Sequence, residues 1–161
     1  MSHNQVLIIL NGEDQSILSK ESNKIILAKK NIENITQNHT FLQTNFESLE
    51  ELIKANEIIK SRFSNIDDLI IVNKDIDLNM ISYQYDYIHI KQNYQELMNI
   101  IYFINLLIPL LKSEFRFILS LEKDNHYKVH FNNFKMSLIN YLNSLKKDLV
   151  NSNNIKIKIL S

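Results

Sequence analysis

Apolar residues in this chain come in alternating short and long blocks, and the block lengths predict the elements. Residues 6–10 form an unbroken apolar run of strand length, and residues 24–28 and 40–44 are two further short strand candidates. Ser48 followed by Glu51 fits a capping box, in which the hydroxyl caps the backbone and the carboxylate reaches back. Behind it Leu49, Leu52, Ile53, Ile59 and Phe63 recur at near-helical spacing. Residues 68–72, DLIIV, read as a buried strand, residues 85–112 as a long helix, and residues 115–121 as another strand. Phe134, Leu138, Tyr141, Leu142, Leu145 and Leu149 mark a further amphipathic helix, and residues 155–160, IKIKIL, follow with strict alternation.

Strands separated by helices of this length predict an α/β fold with a mostly parallel sheet flanked by helices. Neither a repeat nor a Pro/Gly linker interrupts the 161 residues, so one domain over residues 1–161 is expected. The block at residues 100–111, IIYFINLLIPLL, is shorter than the roughly 20 residues of a membrane span and contains Asn105 and Pro109. It predicts a helix covered on nearly all sides, in a core or an oligomer interface, and no membrane span.

Charge and composition narrow the functions. Lysine plus arginine equal aspartate plus glutamate at 18 each, and the longest basic clusters are Lys29-Lys30 and Lys146-Lys147. A nucleic-acid binder would show a basic surplus, so none is expected as a partner. There is no cysteine, which removes disulfides, thiolate nucleophiles and cysteine metal sites. The N-terminal MSHNQVLIIL has no charged leader region, which points to the cytoplasm. The single glycine, Gly12, stands where an average domain of this length carries about 11. One glycine cannot build a glycine-rich phosphate loop.

From Thr40 onward several segments and their order resemble the short-chain dehydrogenase/reductase family. FLQTNF at residues 41–46 followed by Ser48 is similar to that family's third strand, with Asn45 where an aspartate near the adenine is usual. FSNIDDLII at residues 63–71 resembles the approach to its fourth strand, but the Asn-Asn-Ala-Gly that should follow is replaced by residues 71–74, IVNK. LIPLLK at residues 107–112 and FILSL at 117–121 match the end of its fifth helix and its fifth strand. FNNFKMSL at residues 131–138 resembles the Tyr-x-x-x-Lys motif that opens the sixth helix, and residues 154–159, NIKIKI, the strand after it. The resemblance implies a truncated Rossmann-like three-layer sandwich without the first helix or the C-terminal strand and lid.

The resemblance also implies lost chemistry. That family holds a pyrophosphate on a glycine-rich turn at a helix N-terminus. Here residues 11–23 offer one glycine and the carboxylates Glu13, Asp14 and Glu21, which repel phosphate. The catalytic tyrosine position is Phe131, which has no proton to transfer, although Lys135 remains four residues on. The serine position falls near Leu121 or Glu122, with Ser120 on the wrong side of a strand, and the helix-five asparagine is Asn93 or lies nearer Glu96. No cofactor and no enzymatic activity are therefore expected.

His126 and His130, four apart, could share a metal, but two exposed histidines are the plainer reading, and the tyrosines at 83, 85 and 87 read as a packed edge. What the resemblance leaves is a surface, because in many members helices five and six pair with those of a second subunit. The expected interface residues are Tyr102, Phe103, Phe134, Leu138, Tyr141, Leu145 and Leu149, engaging a second copy or another protein. The alternatives are a nucleotide-like small-molecule binder without redox activity, and a residual enzyme using Lys135, Glu122 or His126.

Overall fold

A computed structural model describes residues 3–12, 22–31, 38–74, 86–121, 129–149 and 155–160. Its strands are β1 (Asn4–Asn11), β2 (Asn23–Ala28), β3 (His39–Gln43), β4 (Ile66–Asn73), β5 (Leu111–Leu121) and β6 (Lys156–Leu160). Helix α1 (Leu49–Arg62) joins β3 to β4, α2 (Tyr87–Leu107) lies between β4 and β5, and α3 (Val129–Asp148) between β5 and β6. The strands make one sheet in the order β3-β2-β1-β4-β5-β6, and every pairing is parallel. That is the doubly wound Rossmann order, in which β1 and β4 flank the point where the winding reverses.

Alternation along the strands sorts the side chains onto two faces. Val6, Ile8, Ile25, Leu27, Leu69, Ile71, Phe117 and Leu119 join the main core with Leu52 and Ile59 of α1, Phe103 and Leu107 of α2, and Leu138 and Leu142 of α3. All three helices thus belong to one layer. On the opposite face Leu7, Ile26, Ile70 and Val72 form a second buried cluster, flanked by Ile9, Phe41 and Ile118. The expected loss of the first helix concerns residues 13–21, which lie outside the described residues.

Local chemistry explains the boundaries. Ser48 caps α1 by accepting from the Glu51 amide at 3.3 Å, while its own amide donates to the Asn45 carbonyl at 3.0 Å. Half of the expected capping box is therefore replaced by a backbone bond. Glu50 and Glu51 in the first turn and Lys60 and Arg62 in the last complement the helix dipole. The α2 helix stops at Leu107, short of the expected residue 112, because Pro109 disfavours helical backbone before it and forces the turn Ile108–Leu110. Nor is α2 covered on nearly all sides. Met98, Tyr102, Asn105 and Pro109 are exposed, since a helix lying on a sheet buries one stripe only.

Candidate functional site

Open α/β sheets take ligands in the crevice beyond the strand C-termini, at the reversal point between β1 and β4. In this chain the two strands stay paired up to that point. The β1–β4 pairing runs on to Asn11 opposite Asn73, past an irregularity after Ile9. The Asn11 side-chain amide donates to Asn73 Oδ1 at 3.0 Å, and the Lys74 amide donates to the Asn11 carbonyl at 2.7 Å. Gly12 follows with φ +79, and a Cβ placed there would stand 2.8 Å from the Lys74 carbonyl carbon. The chain's only glycine therefore packs against the backbone just past β4.

A second opening lies beside the ends of β2 and β3. Lys29, Gln43, Thr44, Asn45 and Glu51 line a cleft of about 440 Å3. The Thr44 amide donates to the Ala28 carbonyl at 2.8 Å, and Gln43 Nε2 to the Lys29 carbonyl at 3.3 Å, so the floor is tied together. Asn45, in the position expected for the adenine-binding aspartate, is exposed and accepts the Glu47 amide at 3.0 Å, a turn-forming role. The Lys29 ammonium pairs with Glu96 of α2 at 2.5 Å, and Glu96 is buried. Buried Asn99 of α2 donates to the Phe46 carbonyl at 2.8 Å and accepts from Gln95 at 2.9 Å. The polar groups of this edge are spent largely on one another.

The residues expected at the positions of the related active site are described only in part. Phe131 lies in the first turn of α3 and Lys135, half-buried, one turn later. Glu122 and His126 are outside the described residues, as is the side chain of His130, and no cluster of metal-ligating side chains occurs among the described residues. Ser120 is buried and shares the sheet face of Ile118, away from the three helices, as its place in the alternation requires. Asn93 is half-buried, whereas Glu96 belongs to the ion pair just described. Tyr83 and Tyr85 are outside the described residues, and Tyr87 opens α2 as one of its most exposed side chains.

The expected interface residues divide. Phe103, Phe134, Leu138 and Leu145 are buried in the core, facing the sheet, and so are not available to a partner. With Leu142, the three on α3 recur every three or four residues, the inward stripe of a helix, which the sequence shows without showing which way it turns. Tyr102 is 45% exposed, while Tyr141 and Leu149 are half-buried. The Tyr141 hydroxyl donates to Asn105 Oδ1 and Asn133 Nδ2 to the Tyr94 hydroxyl at 3.2 Å, which fastens α2 to α3. Burial pushes the Tyr141 phenol above its ordinary pKa.

Sequence reasoning missed a polar row across the other sheet face. Lys24, Gln5, Asp68, Arg116 and Lys156 stand at one level of β2, β1, β4, β5 and β6. Asp68 is fully buried and receives both prongs of Arg116 at 2.7 and 2.9 Å, His3 Nε2 at 2.6 Å and Gln5 Nε2 at 2.7 Å. Burial alone would raise its carboxyl, but these donors outweigh burial and hold it below the usual carboxylate range. Asp67 is likewise held down against burial, by Lys112 at 2.8 Å and the Asn4 amide at 2.7 Å. Lys24 donates to Gln5 Oε1 and to Ser22 Oγ, and its burial lowers the ammonium pKa against the pull of Asp68. Only the paired aspartates at residues 67 and 68 inside a strand pattern hinted at it, since register cannot be read from one strand.

Among known proteins, no family model matches the chain and no curated protein matches it. Its fold, in contrast, is shared widely. A short chain dehydrogenase family protein from Francisella tularensis superposes with a TM-score of 0.77 at 16% identity, covering 99% of this chain and 68% of its own length. A short chain dehydrogenase from Leptospira borgpetersenii with bound NAD+ gives 0.74 at 11%, with 99% and 71% covered. One from Streptomyces avermitilis gives 0.73 at 8%, with 99% and 65% covered. This chain spans about two thirds of the length of such proteins. The polypeptide is therefore built on the Rossmann-like fold of the short-chain dehydrogenases/reductases.

Proposed function

We propose that residues 1–161 form one Rossmann-like domain acting in the cytoplasm as a non-catalytic interaction module, through the outward faces of α2 and α3. The observation that carries this reading is the chemistry of that surface. From Gln92 to Pro109 the exposed side chains of α2 are Gln92, Met98, Tyr102, Asn105 and Pro109. On α3 they are Asn133, Met136, Ser137, Asn140, Asn143 and Ser144 up to Lys146. The charged side chains in these stretches are half-buried Lys135 and buried Glu96, although 22% of the chain is charged. Depletion of charge with exposed methionine and tyrosine distinguishes the centre of a protein interface from ordinary surface. Phenylalanine at residue 131, which has no proton to transfer, supports the non-catalytic part.

Light scattering over a concentration series tests it. The expected result is a species of about twice the 19.1 kDa chain mass, or a stable complex with a defined partner, that Tyr102→Glu abolishes without unfolding the protein. A monomer at every concentration whose partner binding ignores Tyr102→Glu and Met98→Glu overturns it.

The cleft at Lys29, Gln43, Thr44 and Asn45 favours a second reading, a small-molecule binder without redox activity, since it lies on the ligand-binding edge of such sheets. Calorimetry with nicotinamide and adenine nucleotides decides it: heat that Lys29→Ala changes supports binding there, and silence at millimolar ligand ends it.

A further inference from the structure

We infer that a cavity at the N-terminal ends of β1, β2 and β3 binds a small hydroxyl-bearing molecule that carries one phosphate or carboxylate group. The cavity measures about 390 Å3 and is lined by Asn4, Asn23, Asn38, Thr40, Arg62 and Ser64, together with buried Ile25 and Phe63. That volume falls within the roughly 300–1,000 Å3 of small-molecule pockets. Asn4 and Asn23 open their strands, Thr40 is the second residue of β3, and Arg62 and Ser64 stand at the end of α1. The Lys29 cleft lies beyond the opposite ends of β2 and β3, so the two are separate sites.

The charge of this lining is one-sided. No aspartate or glutamate lines the cavity, and its charged residues are Lys24 and Arg62. Lys24 spends its ammonium on Gln5 Oε1 and Ser22 Oγ, so Arg62 is the cation that a ligand meets. The guanidinium is exposed, and its Nη1 donates to Thr40 Oγ1 at 2.6 Å, which holds the side chain in place and leaves its other donors for an anion. Such a planar fork matches the paired oxygens of a phosphate or carboxylate. Among the neutral groups, buried Asn4 is fixed: its Nδ2 donates to the Asn65 carbonyl at 3.0 Å, and its Oδ1 accepts from Asn23 Nδ2 at 3.3 Å. The side chains of Asn38 and Ser64, in contrast, bond to no other described residue. The polar groups of the Lys29 cleft are spent largely on one another, whereas this cavity keeps an amide and a hydroxyl that both donate and accept, as ligand hydroxyls require. Arg62 can also serve only as the cation at the C-terminal end of α1, and that reading predicts no binding at all.

The test titrates the whole chain with glucose 6-phosphate, gluconate and glucose, and follows the backbone amides by NMR. Saturable shifts confined to Asn23, Asn38, Thr40, Ser64 and their neighbours are expected with at least one of the two anions, and the tighter anion identifies the head group. Arg62→Gln should weaken that binding about tenfold. Arg62 is exposed, so the variant should melt like the parent. Arg62→Lys, which keeps the charge without the fork, provides the check if it does not, with an intermediate loss. Glucose or a single-stranded oligonucleotide binding as tightly as the anions overturns the inference. So do an affinity indifferent to Arg62→Gln, shifts at Lys29 and Asn45 instead, and silence at millimolar ligand. Tyr102→Glu and Lys29→Ala leave this binding unchanged, so failure here is separable from failure of the α2–α3 interface or of the Lys29 cleft.

Discussion

Gly12 shows how one residue can decide what an edge of a sheet does. Its positive φ suits glycine, and the 2.8 Å approach to the Lys74 backbone leaves no space for a methyl group. Gly12→Ala should therefore cost about 2 kcal/mol of stability, read from a shift in the urea midpoint. The composition singled out this residue through its rarity but could not say what it was for. Asp68 teaches the opposite lesson. Nothing in the local sequence marks it as more than one of two aspartates, yet it is fully buried under three donors. Asp68→Asn would leave Arg116 without its partner. Because that guanidinium is 47% exposed, water softens the loss, and about 2 kcal/mol is expected rather than the full cost of an orphaned buried charge.

At the level of elements, α3 separates packing from surface. Leu138→Ala should cost about 3 kcal/mol, because it opens a hole under the sheet-facing stripe. Met136→Ser, on the exposed side of the same helix, should shift the denaturation midpoint negligibly. At the start of α1, Ser48→Ala removes the acceptor for the Glu51 amide and should cost about 1 kcal/mol. The elements themselves were legible, because periodicity, a cap and a proline are local signals. Expected strands at residues 24–28, 40–44 and 68–72 lie within a residue or two of β2, β3 and β4. The face that each helix turns inward was not legible. Phe103 and Tyr102 are neighbours in an apolar run, and only the sheet beneath makes one core and the other surface.

For the whole molecule, the polar row sets the response to acid. Asp67 and Asp68 have folded pKa values below their unfolded ones. Their contribution is fully present above the unfolded carboxylate value of about 4, and it is lost as pH falls through the lower folded values. Stability measured by urea unfolding should accordingly decline below about pH 4, and Asp68→Asn should flatten that decline. Failure of the variant to change the slope would place the acid sensitivity elsewhere.

Taken by itself, the sequence determined the α/β class, the order of strands and helices, and the resemblance to a dehydrogenase fold. Those follow from hydrophobic spacing and residue identity, which are one-dimensional. Tertiary structure alone decided the rest: the contacts of Asn11 and Gly12 with Lys74, the burial of Asp68 in a row drawn from five strands, and the charge-poor outward faces of α2 and α3. Each depends on which residues from distant segments reach the same level of the sheet. That register is set by pairing between strands, so no single stretch of sequence contains it.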